Sequence, residues 1–543
     1  MERKSSSKKN DKPKFIFVIG GVLSGLGKGI VTSSVGALLK SGGYSVTAVK
    51  IDPYINIDAG TMRPTEHGEV YVTEDGGEID QDLGNYERFL NIHVPKRNNI
   101  TTGQIYLSVI EKERQLKYNG RDVEVIPDIV DEVKRRILES TDGNEFTLVE
   151  VGGTTGDIEN LVFLHAVREL SREYPSVSVM VTYVPYLKNV NELKTKPTQH
   201  AMSKLREVGI YPDFVVARSE IGIDKPRRWI IAKRCFVDEE YIIDNPDLDS
   251  VYKIPQLFEK QDFGEKILEK FGMFDGIDLS EWKKYTRMLK NAEKELNIAL
   301  IGKYVSHGKT DHADVYLSVL EAIKHACAHN GVRPKITQIQ STVLEEQSPE
   351  EILKGYDCAV IPGGFGDKGI EGIITAIRYL RENDIPLLGL CLGMQLSVIE
   401  YARNACGMSG AHSTEMDPKT AYPVIDILPE QKELIKNNRY GATMRLGAYN
   451  AILKKGTIVH KLYGKDEVSE RHRHRYEVNP AYIEKLESHG LTFSGTSPDG
   501  KLMEFMELKD RKFFVATQAH PEFKSGPLNP HPLFMGLIKA CLK

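Results

Sequence analysis

Two series of short apolar, β-branched runs, each followed by a helical stretch, constrain this chain more than any other feature. The first series is 14–19, 46–51, 146–151, 177–184 and 214–217; the second is 298–301, 358–361, 386–390 and 513–517. Runs of this length, mostly apolar and bounded by turn residues, read as buried parallel strands alternating with helices. Between the series, 275–297 turns charged and helical (Glu281, Lys283, Lys284, Arg287, Lys290, Glu293, Lys294), the pattern of a linker. With 543 residues the chain exceeds what one core supports, because cores stop growing near roughly 250–300 residues. The expected division is a disordered basic tail over 1–14, a first domain over 15–274, a linker over 275–296 and a second domain over 297–543. Both domains are expected to be α/β, the first with a P-loop-type parallel sheet.

Composition narrows the partners. A net charge of −4 gives no general attraction to nucleic acid or anionic membrane, and no apolar run approaches the ~18 residues needed to cross a bilayer. The Lys- and Ser-rich amino terminus lacks the apolar stretch of a secretory signal. Six cysteines without CxxC spacing argue against a zinc site or a disulfide framework and for reduced thiols in the cytoplasm.

The first run leads into Gly20-Gly21-Val22-Leu23-Ser24-Gly25-Leu26-Gly27-Lys28-Gly29 and then a helix. In that setting backbone N–H groups and a helix N-terminus cradle phosphates. The strict G-x4-G-K-[ST] pattern fails twice: Gly21 lies one residue too far upstream of Gly27, and Gly29 replaces the hydroxyl that would hold magnesium. Carboxylates must then come from elsewhere. Asp82 and Glu150 are the candidates, Glu150 at the carboxyl end of a strand where open α/β sheets bind ligands.

In the second half a strand runs straight into Gly389-Leu390-Cys391-Leu392-Gly393. The cysteine occupies a sharp strand-to-helix elbow with small neighbours, the setting of a nucleophile. The helix dipole and a neighbouring imidazole would favour its thiolate. Ala519-His520-Pro521-Glu522-Phe523 closes the last run and offers a base with an acid two residues on, on one side if the strand continues. Cys391, His520 and Glu522 form the candidate triad. Acyl chemistry also needs oxyanion donors, for which the glycine loop 362–366 suggests the amides of Gly364 and Leu392.

Cys391-Leu392-Gly393-Met394-Gln395 with His520-Pro521-Glu522 resembles the triad-type (class I) glutamine amidotransferase domains. Lys50-Ile51-Asp52-Pro53-Tyr54-Ile55-Asn56, His67-Gly68-Glu69-Val70, Gly84-Asn85-Tyr86-Glu87-Arg88-Phe89, Gly152-Gly153-Thr154-Thr155-Gly156-Asp157-Ile158-Glu159 and Lys194-Thr195-Lys196-Pro197-Thr198-Gln199 look like the CTP synthase family, a resemblance running from about residue 14 to 543. It implies an amidoligase domain followed by a glutaminase domain that aminates UTP to CTP with ATP, through a 4-phosphorylated UTP. Gly25, Leu26, Gly27, Lys28, Gly29 and Ile30 would bind ATP together with Asp82, and Asp82 and Glu150 would hold Mg2+. Ser24, Asp157, Ile158, Glu159, Lys194, Thr195, Lys196, Pro197, Thr198 and Gln199 match the UTP site, which overlaps that of CTP as inhibitor. Gly364, Leu392, Gly393, Met394, Gln395, Glu415 and Arg475 match the glutamine contacts. The family further implies GTP as allosteric activator, working through the loop 441–447, an interior passage for ammonia, and a homotetramer.

Two departures stand out. Ile230 replaces a lysine often found five residues before the position of Cys235, with Arg228 and Lys233 close by, and Ala442 replaces a glycine. Two other readings fit parts of the pattern: a glutamine-dependent ligase activating a carboxylate, and a non-catalytic scaffold descended from such an enzyme. The second sits poorly with a complete set of Cys391, His520, Glu522, Lys28, Asp82 and Glu150.

Overall fold

The computed structural model describes residues 12–305, 315–427 and 444–542. The chain divides into two units: one takes it to Ala59 and then Asn85–Thr286, the other takes Gly60–Gly84 and Arg287–Lys543. The excursion 60–84, part of the first half in sequence, therefore belongs to the second unit. Gly441, Ala442 and Thr443 of the expected control loop lie outside the described residues.

The first unit is built on seven parallel strands in the order Ile242–Pro246, Phe214–Ser219, Ser176–Tyr183, Lys14–Gly20, Phe146–Val151, Val46–Asp52 and Asn99–Thr101. The continuous apolar runs have their cause here. Every residue of Val46–Asp52 and of Phe146–Val151 is buried, as strands covered on both faces require. From Lys14–Gly20 the chain moves to one side of the sheet, returns through Phe146–Val151, and then departs to the other side. That reversal opens a crevice at the carboxyl ends of the central strands. The stretch expected as a linker includes the helix Ser280–Asn291, which buries Trp282, Tyr285 and Thr286. Trp282 packs beside Phe89 and Tyr252, an apolar stripe that the charged residues of this helix masked in sequence.

The second unit has a nine-stranded sheet in the order Val332–Gln340, Lys294–Gly302, Cys358–Ile361, Leu387–Leu390, Phe514–Thr517, Met503–Glu507, Thr492–Thr496, Arg445–Leu453 and Glu467–His474. Its first five strands are parallel and the rest are added antiparallel. Apolar cores lie in two clusters, one including Ile361, Met394 and Ile399 and the other Leu390, Phe505 and Phe534. A two-stranded antiparallel hairpin, Val70–Val72 with Glu78–Asp80, completes the unit. Among the described residues no helix is long and apolar enough to cross a membrane.

Candidate active site

The nucleophile elbow is held by backbone. Leu387–Leu390 passes into the helix Leu392–Asn404 through Cys391, whose φ of 51° and ψ of −101° lie where L-residues are strained. Two features hold that strain in place. The Cys391 N–H donates to the Thr517 carbonyl at 2.8 Å, and Gly393 packs so closely that an added Cβ would lie 2.5 Å from the Ile361 carbonyl oxygen. The glycine after the cysteine is thus a requirement of helix-to-strand approach. The Cys391 sulfur is 3.8 Å from the Arg473 carbonyl oxygen and 3.8 Å from the side-chain nitrogen of Gln518.

His520 and Glu522 reach each other by a route the sequence did not suggest. The strand Phe514–Thr517 stops before them, and His520 is the N-cap of a 3-10 helix, Pro521–Lys524. Proline has no N–H to continue a ladder, and the His520 N–H turns instead to the Arg471 carbonyl at 2.7 Å. Glu522 is one turn on, and its Oε1 lies 2.7 Å from His520 Nδ1. Shared strand alternation is therefore not the reason these two side chains meet. Burial opposes charge on His520, but the Glu522 carboxylate and the Cys391 sulfur outweigh it and push the imidazole up to about 10. An imidazolium poised between carboxylate and sulfur is the state that pairs with a thiolate.

Gly363 closes the other side. A Cβ there would stand 2.6 Å from His520 Cε1 and 3.6 Å from Cys391 Cβ, so only glycine leaves room for the ring. Gly364 follows, its missing Cβ 3.2 Å from a Leu392 methyl and 3.2 Å from Lys303 Cδ; the two residues named as oxyanion donors are thereby brought together. The Lys303 ammonium bonds the Gly366 carbonyl, and burial lowers it to about 8 in spite of Glu415 and Asp367. Burial raises Glu415, against the opposing pull of the Gly366 N–H, Lys303 and Arg475. Gly364, Glu415 and Arg475 thus share one neighbourhood carrying both signs of charge, as an amino acid's ammonium and carboxylate need. A cavity opens on Cys391, His520, Gly363 and Gly364 and is walled in part by Glu69 and Val70. Met394 is core, and the Gln395 amide is buried, donating to the Tyr476 carbonyl at 3.0 Å and to Gln518 at 3.4 Å.

In the first unit the glycine-rich loop follows Lys14–Gly20, with Gly25 and Gly27 at φ of 69° and 79°, and the helix Lys28–Ser41 starts on the lysine. Lys28 is buried and donates to the Gly153 carbonyl at 3.0 Å. That bond ties the loop to the turn after Phe146–Val151. Glu150, buried on that strand, faces the Lys50 ammonium at 3.4 Å and accepts from the Tyr86 hydroxyl. Ser24, the exposed segment Asp157–Glu159 and Lys194–Gln199 follow, respectively, the central strand and its two sheet neighbours, so strand order gathers them along one edge. Asp157 caps its own turn by accepting from the Thr154 N–H at 2.8 Å, Lys194 pairs with Glu192 at 2.6 Å, and Thr198 is buried beside Thr182. Near Ile230, Arg228 is engaged by the carbonyls of Glu239 and Ile242, whereas Lys233 is exposed. Asp82 opens the helix Asp82–Leu90 and belongs to the second unit. Among the described residues no three His, Cys, Asp or Glu side chains gather as a ready metal cage. Buried carboxylate oxygen at a strand end is nonetheless the donor type magnesium takes when phosphates and water fill the remaining positions.

Sequence reasoning passed over Gly363, Gln518, Lys303 and Arg471. A glycine pair directly after a strand was the available signal for Gly363; for the other three, only packing identifies them.

Residues 14–273 match the family described as CTP synthase N-terminus, and residues 311–540 match glutamine amidotransferase class-I. The chain is 52% identical to the CTP synthase of Methanocaldococcus jannaschii over 97% of its own length and 98% of that protein. It is also 52% identical to the CTP synthase of Pyrococcus abyssi over 97% of each. Among solved structures, the glutaminase domain of Trypanosoma brucei CTPS with bound acivicin is similar at 36% identity and a TM-score of 0.42, covering 46% of this chain and 94% of that one. The chain belongs to the CTP synthase family, the ligases that convert UTP to CTP with ATP and with glutamine as the nitrogen donor.

Proposed function

We propose that Cys391, His520 and Glu522 are the glutaminase triad and that ammonia released there is used in the first unit on a phosphorylated UTP. The single observation that carries this is the 2.7 Å contact of His520 with Glu522 in the crevice that Cys391 and Gly363 share. The Cys391 sulfur attacks the side-chain carbonyl of glutamine, the C–N bond breaks, and the imidazolium gives its proton to the departing ammonia. Water, activated by the now neutral His520, then cleaves the thioester to glutamate. Gly364 and Leu392 would donate N–H groups to the tetrahedral oxyanion, and Glu415 and Arg475 would hold the amino acid's own charges, with Gly393, Met394 and Gln395 contributing through the helix start.

At the other site the ATP γ-phosphoryl passes to the uracil 4-oxygen, and ammonia displaces phosphate. Gly25 to Ile30 would cradle ATP, with Lys28 offsetting charge on the phosphates. Ser24, Asp157 to Glu159 and Lys194 to Gln199 would hold UTP, or CTP as feedback inhibitor, with Lys233 the cation available near Ile230. Mg2+ held by Asp82 and Glu150 would supply Lewis-acid neutralisation of phosphate charge when bound. GTP as activator, an interior ammonia passage, a homotetramer, a cytoplasmic setting and the division at 15–274, 275–296 and 297–543 complete the reading.

The test follows CTP formation from UTP by absorbance with ATP and magnesium, first with glutamine and then with ammonium chloride. Both donors should yield CTP. Failure of both in folded protein would overturn the reading.

A further inference from the structure

Arg471, in the basic run 471–475, is completely buried on the strand Glu467–His474. Its guanidinium donates from Nε to Glu74 at 3.0 Å and from Nη1 to the Tyr71 hydroxyl at 2.9 Å and the Val72 carbonyl at 2.8 Å. All three acceptors lie on the hairpin Val70–Val72 with Glu78–Asp80 or its turn, within the second unit. From the same residues, bonds run on to the segment that carries the catalytic base and acid. Arg471 accepts from the His520 N–H through its carbonyl at 2.7 Å. The Tyr71 hydroxyl donates to the Phe523 carbonyl at 2.9 Å, and the two rings meet edge-on at 4.9 Å. Lys524 is 3.0 Å from Glu74 and donates to the Ser469 carbonyl at 2.7 Å.

Residues 520, 523 and 524 are thus each held by one cluster, which brackets Pro521 and Glu522 from both sides. Burial favours a protonated Glu74, but Arg471 and Lys524 outweigh it and hold the carboxyl below its usual range, so the cluster keeps its charge. A fully buried guanidinium needs both a counter-charge and acceptors matched to its planar fork. Glu74, Tyr71 and Val72 provide them.

We propose that Arg471 and Glu74 form a positioning pair that sets His520 and Glu522 against Cys391, so that the glutaminase depends on a hairpin encoded in the amino-terminal half of the chain. The proposal rests on the reading of Cys391, His520 and Glu522 as the triad. It distinguishes alignment from mere stapling, because misalignment of a base lowers turnover while leaving the substrate's charge-binding groups in place.

The experiment uses the full chain with Glu74→Ala, Glu74→Gln and Arg471→Lys. It measures kcat and KM for glutamine hydrolysis and the rate of Cys391 alkylation by iodoacetamide, with ammonia-dependent CTP synthesis as the folding control. Glu74→Ala should lower kcat by roughly 10- to 100-fold, the scale of a small misplacement of a catalytic group, with KM within about threefold and alkylation slowed in parallel. Glu74→Gln, which keeps an acceptor for Arg471 Nε, should recover part of that loss. Arg471→Lys, which keeps charge but not the fork, should resemble Glu74→Ala. Hydrolysis within about twofold of the unmodified chain in both Glu74→Ala and Arg471→Lys would overturn the positioning role, as would a rise in KM at unchanged kcat. Equal loss of glutamine- and ammonia-dependent synthesis in all three variants would reduce the pair to a folding staple and also overturn it. An unmodified chain that hydrolyses no glutamine would instead overturn the triad reading beneath the proposal.

Discussion

The loop after Lys14–Gly20 and the elbow after Leu387–Leu390 are both strand-to-helix turns after parallel strands, yet they treat backbone strain in opposite ways. In the first, the left-handed positions are Gly25 and Gly27, where they cost little, and the backbone is left open to a large anion. In the second, a left-handed φ falls on Cys391 itself, and the surroundings of Thr517, Ile361 and Gly393 hold it there. Phosphate binding needs many N–H groups that can face a ligand, whereas nucleophilic attack needs one sulfur in one place. On the proposed reading, the difference is how one local topology would serve an anion cradle or a nucleophile according to where the strain is put.

Removing the sulfur gives the sharpest test of that contrast. Cys391→Ala should abolish glutamine-dependent CTP formation, by about 10⁴-fold or more as for other covalent nucleophiles, and leave ammonia-dependent synthesis within a few-fold. Steady-state assays with each donor decide it, and equal loss with both would mean the two turns do not divide the reaction between them. Lys28→Ala should do the reverse. Its synthesis with either donor should fall by roughly 10²- to 10³-fold, the range for loss of one preorganised charge-stabilising donor, while glutamine hydrolysis persists. Unchanged CTP synthesis would make the glycine-rich segment only a turn. A smaller effect is expected from Gly363→Ala. Because the new Cβ would lie 2.6 Å from His520 Cε1, the ring must shift, and glutaminase kcat should fall on the order of 10²-fold with ammonia-dependent synthesis retained.

The two turns were also unequally legible. Where a strand is buried on both faces its sequence is mostly apolar, and the runs at 146–151 and 358–361 coincide with Phe146–Val151 and Cys358–Ile361. The antiparallel half of the second sheet gave no such signal. Arg445–Leu453 alternates buried and exposed positions, and Glu467–His474 buries Glu470, Arg471, His472 and His474 by pairing them rather than by being apolar. Charged residues that are buried because they have partners cannot be told from solvated ones until the partners are placed, and Glu74 lies 397 residues from Arg471. Cys391, His520 and Glu522 could be named as triad candidates because Gly-x-Cys-x-Gly and His-Pro-Glu are local patterns. Their geometry was misjudged at His520 because the strand Phe514–Thr517 ends before His520 and a 3-10 helix begins at Pro521.

The pH response offers the finest test of how the cysteine turn differs from the phosphate turn. His520 is held up to about 10 by Glu522 and Cys391 against the effect of burial, while an unfolded histidine titrates near ~6.5. A folded value above the unfolded one contributes stability in full below about 6.5, and that contribution is lost as pH rises through about 10. The buried imidazoles of His472 and His474, the other histidines whose charge bears on this region, are driven well below their usual range by burial and by neighbouring cations. They stay neutral through that window, and groups that titrate inside it, such as Lys303, which burial lowers to about 8, are common to the unmodified chain and a His520 variant, so the difference between the two belongs to His520. Urea midpoints of the unmodified chain and of His520→Asn should therefore converge as pH is raised from 7 toward 10, the unmodified chain losing its advantage. In Glu522→Gln, with the carboxylate charge gone, convergence should come at lower pH. A difference that stays constant across this range would mean that His520 carries no extra proton in the folded state, and the imidazolium beside the Cys391 sulfur would have to be replaced by a neutral ring.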